Sequence, residues 1–267
     1  MRVRVNGIQM AYTDEGEGAC LLLVHGFPLS RGAWSKQVAA FKTEYRVVAP
    51  DLRGFGETAG TPGVVPMGRF AEDLRALAVH LATGPVILVG HSMGGFVALA
   101  FAKAYPGIVR ALALVSTKAG PDSPEAADAR RALAERVQRE GAVVVINAMA
   151  PKMLSDANRD RAMAAATRGL MAPLNPEAAI GALLGMAERP DARPWLAKLR
   201  LPVLVIAGLD DALIPPSESL AMAKAIPGAQ LRIIPGAGQL VAFEQPEAFN
   251  AALRDWPERR RGFRPAG

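Results

Sequence analysis

A serine flanked by glycines is the clearest candidate for chemistry in this chain. The segment Gly90-His91-Ser92-Met93-Gly94 directly follows the apolar run "VILV" and directly precedes a helix-like stretch. In that context a G-x-S-x-G motif forms a sharp strand-to-helix turn that exposes the serine hydroxyl at the end of a sheet. The sequence therefore predicts Ser92 as a nucleophile, with free N–H groups of the following helix behind it.

A second loop, "HGFP", also follows a buried strand and supplies what such a nucleophile needs. Acyl transfer requires two N–H donors aimed at the developing oxyanion. We predict that the amides of Phe27 and Met93 form this oxyanion hole. His25 is a conceivable base, but we expect its ring to be buried and to shape the loop.

Strand-like and helix-like stretches alternate along most of the chain, as positioning of these loops requires. The segment "VRVNGIQMAYTD" reads as a hairpin, and six further buried strands are predicted in "CLLLVHG", "YRVVAPD", "PVILVGHS", "VRALALVST", "LPVLVIAG" and "AQLRIIPG". Fully apolar strands that alternate with helices indicate a mostly parallel sheet covered on both faces. The sequence thus predicts an α/β fold of about eight strands flanked by helices.

The alternation stops between residues 119 and 199, where helical patterns occur without a convincing strand. Ser123 is a plausible start of the first helix. We predict an all-helical insertion that covers the sheet domain as a lid. Five of the ten methionines fall in this stretch, and packing of the lid explains them better than substrate contact. Both roles are compatible if the lid roofs a pocket, so we predict Met149 and Met153, with Phe27 and Leu240, as substrate-binding residues.

The chain resembles the α/β-hydrolase superfamily over nearly its whole length. The matching stretches are "HGFP", "DLRGFGET", "GHSMGG", "GLDDALIPP" and "PGAGQLVAFEQPEAF". Within the superfamily it is most similar to small bacterial carboxylesterases and enol-lactonase-like serine hydrolases with a helical lid. The resemblance implies an α/β-hydrolase core at residues 1–118 and 200–258, with the cap at 119–199. It also implies architectural roles for Asp51, Arg53 and Gly54.

The resemblance implies that a catalytic acid follows a late strand in the pattern G-x-x-D-x-x-x-P. Gly208, Asp211 and Pro215 fit that spacing, and Asp210 is the runner-up. The acid would hold the imidazole of the base and stabilise its charged form. The alternative is that Asp211 caps the helix that begins near Pro216.

The pattern for the base, G-H-x-x-x-x-E-x-P, is met at Gly238, Glu244 and Pro246, but the histidine position holds Gln239. The matching flanks exclude an error of register. We interpret Glu244 as a charge at the amino terminus of the next helix. His80 and His91 are not obvious substitutes, because His80 lies on a helix and the His91 ring should point away from Ser92.

Glutamine can imitate the shape of histidine but cannot accept a proton near neutral pH. Its NH₂ could face Asp211 while its carbonyl accepts a hydrogen bond from Ser92. Two origins fit this departure, a deliberate or recent change in an active esterase, or a natural family member that binds without hydrolysing. We favour the first, because a long-abandoned site should have lost more than one part.

Two functions follow. The first is a serine ester hydrolase of carboxylesterase or lactonase type, acting on small, largely apolar esters through an acyl-enzyme on Ser92 and strongly impaired by Gln239. The second is a non-catalytic protein of the same fold that binds a small carbonyl ligand. Neither implies a cofactor or a metal.

Composition sets the expected surroundings of the protein. The chain has 267 residues, a net charge of +6 and one cysteine, Cys20, which we expect to be buried. No apolar run approaches a membrane span, and the start does not read as a signal peptide, so we expect a cytoplasmic monomer or homodimer. Residues 259–267 read as a flexible basic tail. The rest of the sequence has no basic stripe interleaved with aromatic residues, so we do not expect a nucleic-acid partner.

Overall fold

Eight strands form one sheet in the computed structural model, which describes residues 1–172 and 174–256. The strands are β1 Arg2–Val5, β2 Ile8–Glu15, β3 Cys20–Val24, β4 Arg46–Pro50, β5 Val86–His91, β6 Val109–Val115, β7 Val203–Gly208 and β8 Gln230–Ile234. Their order across the sheet is β1-β2-β4-β3-β5-β6-β7-β8. The pairs β1–β2 and β2–β4 are antiparallel and all later pairs are parallel. The predicted α/β fold of about eight strands is confirmed.

Helices cover both faces of this sheet. They are α1 Ser35–Phe41, α2 Met67–His80, α3 Met93–Ala104, α4 Pro124–Glu140, α5 Val143–Met149, α6 Arg161–Met171, α7 Pro176–Ala187, α8 Arg193–Leu196, α9 Pro216–Ala225, α10 Val241–Glu244 and α11 Pro246–Arg254. Successive strand residues point to opposite faces, so one set packs with α1 and α11 and the other with α2, α3 and α9. This two-sided burial explains why the central strands are apolar throughout. None of the described helices is long and apolar enough to cross a bilayer.

Strand register brings the candidate loops to one edge of the sheet. Val24 at the end of β3 lies opposite Gly90 in β5, and His91 at the end of β5 lies opposite Val115 at the end of β6. Val115 in turn lies opposite Ile206 in β7. Because neighbouring parallel strands end together, the segments that follow β3, β5, β6 and β7 must meet above this edge.

The turn after β4 has the architectural contacts that the sequence implied. Buried Asp51 accepts a hydrogen bond from the Arg31 amide at 2.7 Å and also pairs with the Arg31 guanidinium. Buried Arg53 pairs with Asp73 at 2.5 Å. Gly54 has a φ of 79°, a left-handed conformation that glycine adopts without strain. These contacts fix the loop on which the helical segment rests.

The helical segment, residues 119–199, contains α4 to α8 and no strand among its described residues. Ser123, Asp160 and Asn175 each accept a hydrogen bond from a backbone N–H at the start of α4, α6 and α7. Its division from the core as a separate lid domain stays a prediction. The predicted basic tail at 259–267 and the last residues of the predicted core lie outside the described residues.

Helix α7 docks on the loop that precedes α2 through two glycines. The Val65 amide donates to the Gly181 carbonyl at 3.0 Å, and a Cβ added at Gly185 would lie 1.9 Å from the Val65 carbonyl oxygen. A side chain at Gly185 would therefore push the helical segment away from the core.

We predict that Gly185→Ala lowers the free energy of unfolding by about 1–3 kcal/mol, as overpacking of a close contact does. Gly169→Ala is the matched control, since Gly169 lies in α6 and an added Cβ there meets nothing within 4 Å. The control should be neutral or stabilising by up to about 1 kcal/mol, because alanine favours the helix. Urea unfolding of both variants tests the pair, and equal stabilities would contradict the close contact.

Candidate active site

Ser92 lies at a strained turn between β5 and α3. Its φ of 54° and ψ of −117° lie outside the regions that non-glycine residues favour, which costs on the order of 1–3 kcal/mol. Two bonds hold this geometry: the Ser92 amide donates to Val115 O at 2.9 Å, and Thr117 Oγ1 donates to Ser92 O at 2.8 Å. The residue is half-buried, and its hydroxyl has no hydrogen-bond partner within residues 1–172 and 174–256.

Neighbouring backbone approaches this turn too closely for side chains. A Cβ at Gly94 would lie 2.4 Å from Val24 O, and a Cβ at Gly90 would lie 2.4 Å from Gly94 O. Both glycines of the G-x-S-x-G motif are therefore required by packing. The motif's structural context, strand, tight turn and helix, is the one that the sequence predicted.

The loop after β3 lies directly against Ser92. A Cβ at Gly26 would lie 2.9 Å from Ser92 Cβ. The Gly26 carbonyl accepts from the Leu29 amide at 2.9 Å and from His25 Nδ1 at 3.0 Å. Because C=O and N–H point in opposite directions across a trans peptide plane, these bonds direct the Phe27 N–H away from the loop's own interior.

The two predicted oxyanion donors are free. Neither the Phe27 amide nor the Met93 amide has a hydrogen-bond acceptor in the described part of the chain. His25 is buried, and its Nε2 accepts from the Leu52 amide at 2.9 Å, which leaves the proton on Nδ1. Burial lowers the pKa of His25, so the ring is neutral and shapes the loop. It does not serve as a base.

Asp211 is buried, whereas the runner-up Asp210 is exposed. Asp211 Oδ1 accepts from the amides of Leu213 and Ile214, both at 2.9 Å, so it caps the local turn rather than α9. Its Oδ2 is buried without a hydrogen-bond partner among the described residues. Burial raises the pKa of Asp211 from its ordinary value of 3.8 to about 6, against the lowering effect of the two amides.

The Asp211 loop and the Gln239 loop touch. The Asp210 amide donates to Ala237 O at 2.9 Å, and a Cβ at Gly208 would lie 2.3 Å from the carbonyl oxygens of Ala237 and Gly238. The segment 237–239 is therefore held beside the end of β7. This contact brings residue 239 next to the acid's loop, as the sequence spacing implied.

The Gln239 side chain does not bond as the sequence suggested. Its Nε2 donates to Ser116 O at 3.1 Å and not to Asp211. Its Oε1 is buried and unpartnered in the described chain, so it accepts nothing from Ser92. The Ser116 carbonyl, directly after β6, is the acceptor of this amide in place of Asp211. Two buried acceptors, Asp211 Oδ2 and Gln239 Oε1, consequently lack a donor.

Ser116 was missed by the sequence analysis. It has a φ of 44° and directly follows β6, and its hydroxyl, which is buried without hydrogen-bond geometry to a partner, lies near Asp211 and lowers the pKa of that carboxyl. Its one sequence signal is its place at the end of a buried strand, which many serines share.

His91 is neutral and bonded away from Ser92. Its Nε2 donates to the Gln239 carbonyl at 2.9 Å, and its ring packs edge-on against Trp34. Burial lowers the pKa of His91 to about 4. The ring therefore anchors the Gln239 backbone and is unsuited to take a proton from Ser92.

Glu244 ties the same loop to the helical segment, which corrects its interpretation as a helix-terminal charge. Its Oε1 accepts from the Gly238 amide at 2.8 Å. Its Oε2 accepts from the Ser155 amide at 2.8 Å and from Asn158 Nδ2 at 3.1 Å. Glu244 ends α10 and does not begin α11, so its charge is used by the loop and not by a helix dipole.

The predicted substrate-binding residues divide into two groups. Met153 and Leu240 are buried in one apolar cluster with Leu29, and the Leu240 amide donates to Met153 O at 3.1 Å. Met149 is half-buried at the edge of this cluster. These contacts support packing as the main role of the two methionines. Phe27 is buried beside the candidate oxyanion loop, and its role in substrate binding stays a prediction.

Comparison with known proteins finds similar proteins over nearly the whole length of this chain. Residues 20–246 match the family model described as alpha/beta hydrolase fold. A thermophilic esterase from Thermogutta terrifontis is 44% identical, with a TM-score of 0.93 over 96% of this chain and 97% of that one. An enol-lactonase from Burkholderia xenovorans LB400 is 25% identical, with a TM-score of 0.89 over 96% and 99%. The magnesium-chelatase 30 kDa subunit of Rhodobacter capsulatus is 34% identical over 96% of this chain and 94% of its own length.

We predict that Asp211→Asn stabilises the protein at about pH 8 and not at about pH 4. A carboxyl whose folded pKa is raised contributes stability below pH 3.8, and this is lost as the pH rises through about 6. The amide stays neutral, so the gain near pH 8 should approach about 3 kcal/mol. Urea unfolding across this pH range measures it. Asp210→Asn makes the same charge change on an exposed side chain and should alter stability by less than about 0.5 kcal/mol. If Asp211→Asn has the same free energy of unfolding as the parent near pH 8, the charge of the buried Asp211 carboxylate does not destabilise the fold.

We predict that Glu244→Ala lowers the free energy of unfolding by about 2–5 kcal/mol, because the amides of Gly238 and Ser155 lose their shared acceptor while buried. Glu247→Ala, which removes an exposed glutamate from the first turn of α11, is the control and should cost less than about 1 kcal/mol. If both variants lose the same small amount in urea unfolding, Glu244 does not hold the loop.

Proposed function

This chain belongs to the alpha/beta hydrolase fold family, and from that premise we propose that it is built as a serine ester hydrolase that works slowly. The relatives support a hydrolase-type function. In our proposal the substrates are small, largely apolar carboxylic esters or lactones. Ser92 is the nucleophile, Asp211 the orienting acid, and the amides of Phe27 and Met93 the oxyanion hole. Gln239 occupies the position of the general base.

One observation carries this proposal: Asp211 Oδ2 is a buried carboxylate oxygen without a donor. Buried polar atoms normally have a hydrogen-bond partner, and each exception needs a reason. An imidazole at position 239 would supply an N–H on this side, which is the role of the acid's partner in a serine triad. The Gln239 amide instead donates to Ser116 O. In this proposal Asp211 is the acid, and the imidazole that it would orient is absent.

The free oxyanion donors support acyl transfer on Ser92. The Ser92 oxygen attacks the ester carbonyl carbon, and the former carbonyl oxygen gains a negative charge between the two amides. The Ser92 proton must leave during this step, and a glutamine side chain does not accept it near neutral pH. In subtilisin, loss of the triad histidine costs about 10⁶ in kcat. We therefore expect slow turnover and weak labelling of Ser92 by fluorophosphonates in this chain.

The apolar surroundings support small uncharged substrates. Leu240 and Met153 pack over the loop that carries Gln239, and Phe27 follows the glycine that touches Ser92. Charged or phosphorylated groups would be desolvated here without a partner, which is costly. A chain-length series of p-nitrophenyl esters defines the preference once turnover is measurable.

Retention of a ligand without hydrolysis is the second candidate function. Its support is the same pair of features, free oxyanion donors and a missing base, since binding of a carbonyl group needs the donors alone. Calorimetric detection of ester binding, with the ester recovered intact from the sample, would favour this function over slow hydrolysis.

We predict that Gln239→His raises kcat/KM for p-nitrophenyl butyrate by about 10³ to 10⁶, because the imidazole would take the Ser92 proton and return it to the leaving alcohol. Steady-state kinetics of the parent and the variant measure the gain. The double variant Gln239→His with Ser92→Ala is the control and should fall back to the parent's rate or below.

Two results count against the proposed hydrolase. One is a folded Gln239→His variant that stays inactive on a broad panel of esters and lactones, which would favour the binding function. The other is hydrolysis that persists unchanged in Ser92→Ala, which would exclude Ser92 as the nucleophile.

A further inference from the structure

A cavity of about 540 Å³ lies beside α3, away from the candidate active site. Its lining is mainly apolar and includes Met67 of α2, Phe96, Leu99 and Ala100 of α3, and Trp195 of α8. Ser92, Asp211, Gln239, Phe27 and Met93 do not line it. The volume falls within the range of small-molecule sites, about 300–1,000 Å³.

The inner wall of this cavity is rigid. The guanidinium carbon of Arg189 lies 4.1 Å from the centroid of the Phe96 ring, a stacked cation–π contact. Arg189 also donates to the carbonyls of Met186 and Gly120, both at 2.9 Å, and it is buried. A side chain fixed by this many contacts does not close the cavity, so the pocket is preformed.

Positive charge exceeds negative charge at one side of the cavity. The side chain of Asp122 is buried and is shared by three cations, Lys118 at 3.2 Å, Arg130 at 2.5 Å and Arg189 at 2.9 Å. The charge of Glu218 also acts on Arg189, so three cations face two carboxylates, and Lys118 lines the cavity. This side of the pocket therefore attracts an anion.

The rim adds further charges of both signs. Lys103 lines the mouth, is exposed, and has no ion-pair partner in the described chain. Asp191 is paired with Arg193 at 2.7 Å. Glu188 is an exposed carboxylate that no cation in residues 1–172 and 174–256 pairs with, and it offsets part of the excess. The charged residues that line the cavity are three cations, Lys103, Lys118 and Arg189, and two carboxylates, Glu188 and Asp191, so a net positive charge remains.

We infer that this pocket binds an apolar monocarboxylate, such as a medium-chain fatty acid or an aryl alkanoic acid. The hydrocarbon part would bury against Leu99, Ala100 and Phe96, and the carboxylate would lie near Lys118 and Lys103. Burial of the apolar part supplies most of the affinity, and the two ammonium groups select an acid over a neutral chain. The inference is independent of Ser92 chemistry.

Trp195 makes the pocket directly observable, because it lines the cavity and is half-buried. Trp34 and Trp256 are buried in the layer on the opposite face of the sheet. Decanoate titrated into the full chain should change tryptophan emission with saturation. The Trp195→Phe variant should lose this signal while calorimetry still detects binding.

Two kinds of variant test the contribution of the cavity volume and that of the lysine charges separately. Ala100→Phe fills the cavity from a half-buried helix position and should weaken decanoate binding at least about tenfold, with circular dichroism and thermal melting as checks of folding. The double variant Lys103→Met and Lys118→Met should bind decanol and decanoate about equally. The parent should prefer decanoate about five- to tenfold, and Asp122 keeps two arginine partners in this variant.

Four results would overturn the inference. They are absence of saturable decanoate binding, equal binding in parent and Ala100→Phe, parent affinity for decanol that matches decanoate, and a concentration-dependent dimer that Ala100→Phe disrupts. The second would move the ligand to another site, such as the Ser92 cleft. The last would assign the cavity to a second copy of this chain.

Discussion

Close approach of glycine backbone to neighbouring backbone and side chains at the turn around Ser92 is the constraint on which the rest of the site depends. A Cβ at Gly90, Gly94, Gly95 or Gly26 would lie 2.4 to 2.8 Å from its nearest neighbour. Four glycines let the loop after β3, the turn after β5 and the segment after β6 share one small volume. Without this approach the loop that carries Phe27 could not pack against the serine. The strain at Ser92 is offset by the packing and bonds of its neighbours.

Most buried polar groups in this volume have hydrogen-bond partners, and the unpartnered groups lie around Asp211 and Gln239. His25, His91 and Glu244 each bond the backbone of a loop, and none is left buried without a partner among the described residues. Asp211 Oδ2, Gln239 Oε1 and Ser116 Oγ are the exceptions in the site. The first two are acceptors, so neither can satisfy the other, and burial raises the pKa of Asp211 to about 6 against the lowering effect of the Leu213 and Ile214 amides.

The sequence predicted the elements well because their signals are local or periodic. Apolar runs marked every strand from β3 to β8, and the glycine spacing marked the turn at Ser92. Contacts between segments that are distant in the chain could not be predicted from the sequence. Ser116 has no motif, and Glu244 could not be matched to the Ser155 amide, 89 positions earlier, from spacing alone. The bond of Gln239 to Ser116 O likewise depends on how β6 ends. The predicted nucleophile, acid and base position remain predictions of role, although their loops meet.

At position 239 the fold of the loop does not depend on the chemistry of the side chain. The loop is fixed by backbone groups: the Gly238 amide bonds Glu244, the Leu240 amide bonds Met153 O, and the Gln239 carbonyl accepts from His91. None of these bonds uses the side chain of residue 239. An amide can therefore replace an imidazole there without displacing Ser92 or Asp211. The cost falls on two buried acceptors and not on the sheet or the helices. This separation lets the alpha/beta hydrolase fold form around residue 239 whether or not its side chain can accept a proton.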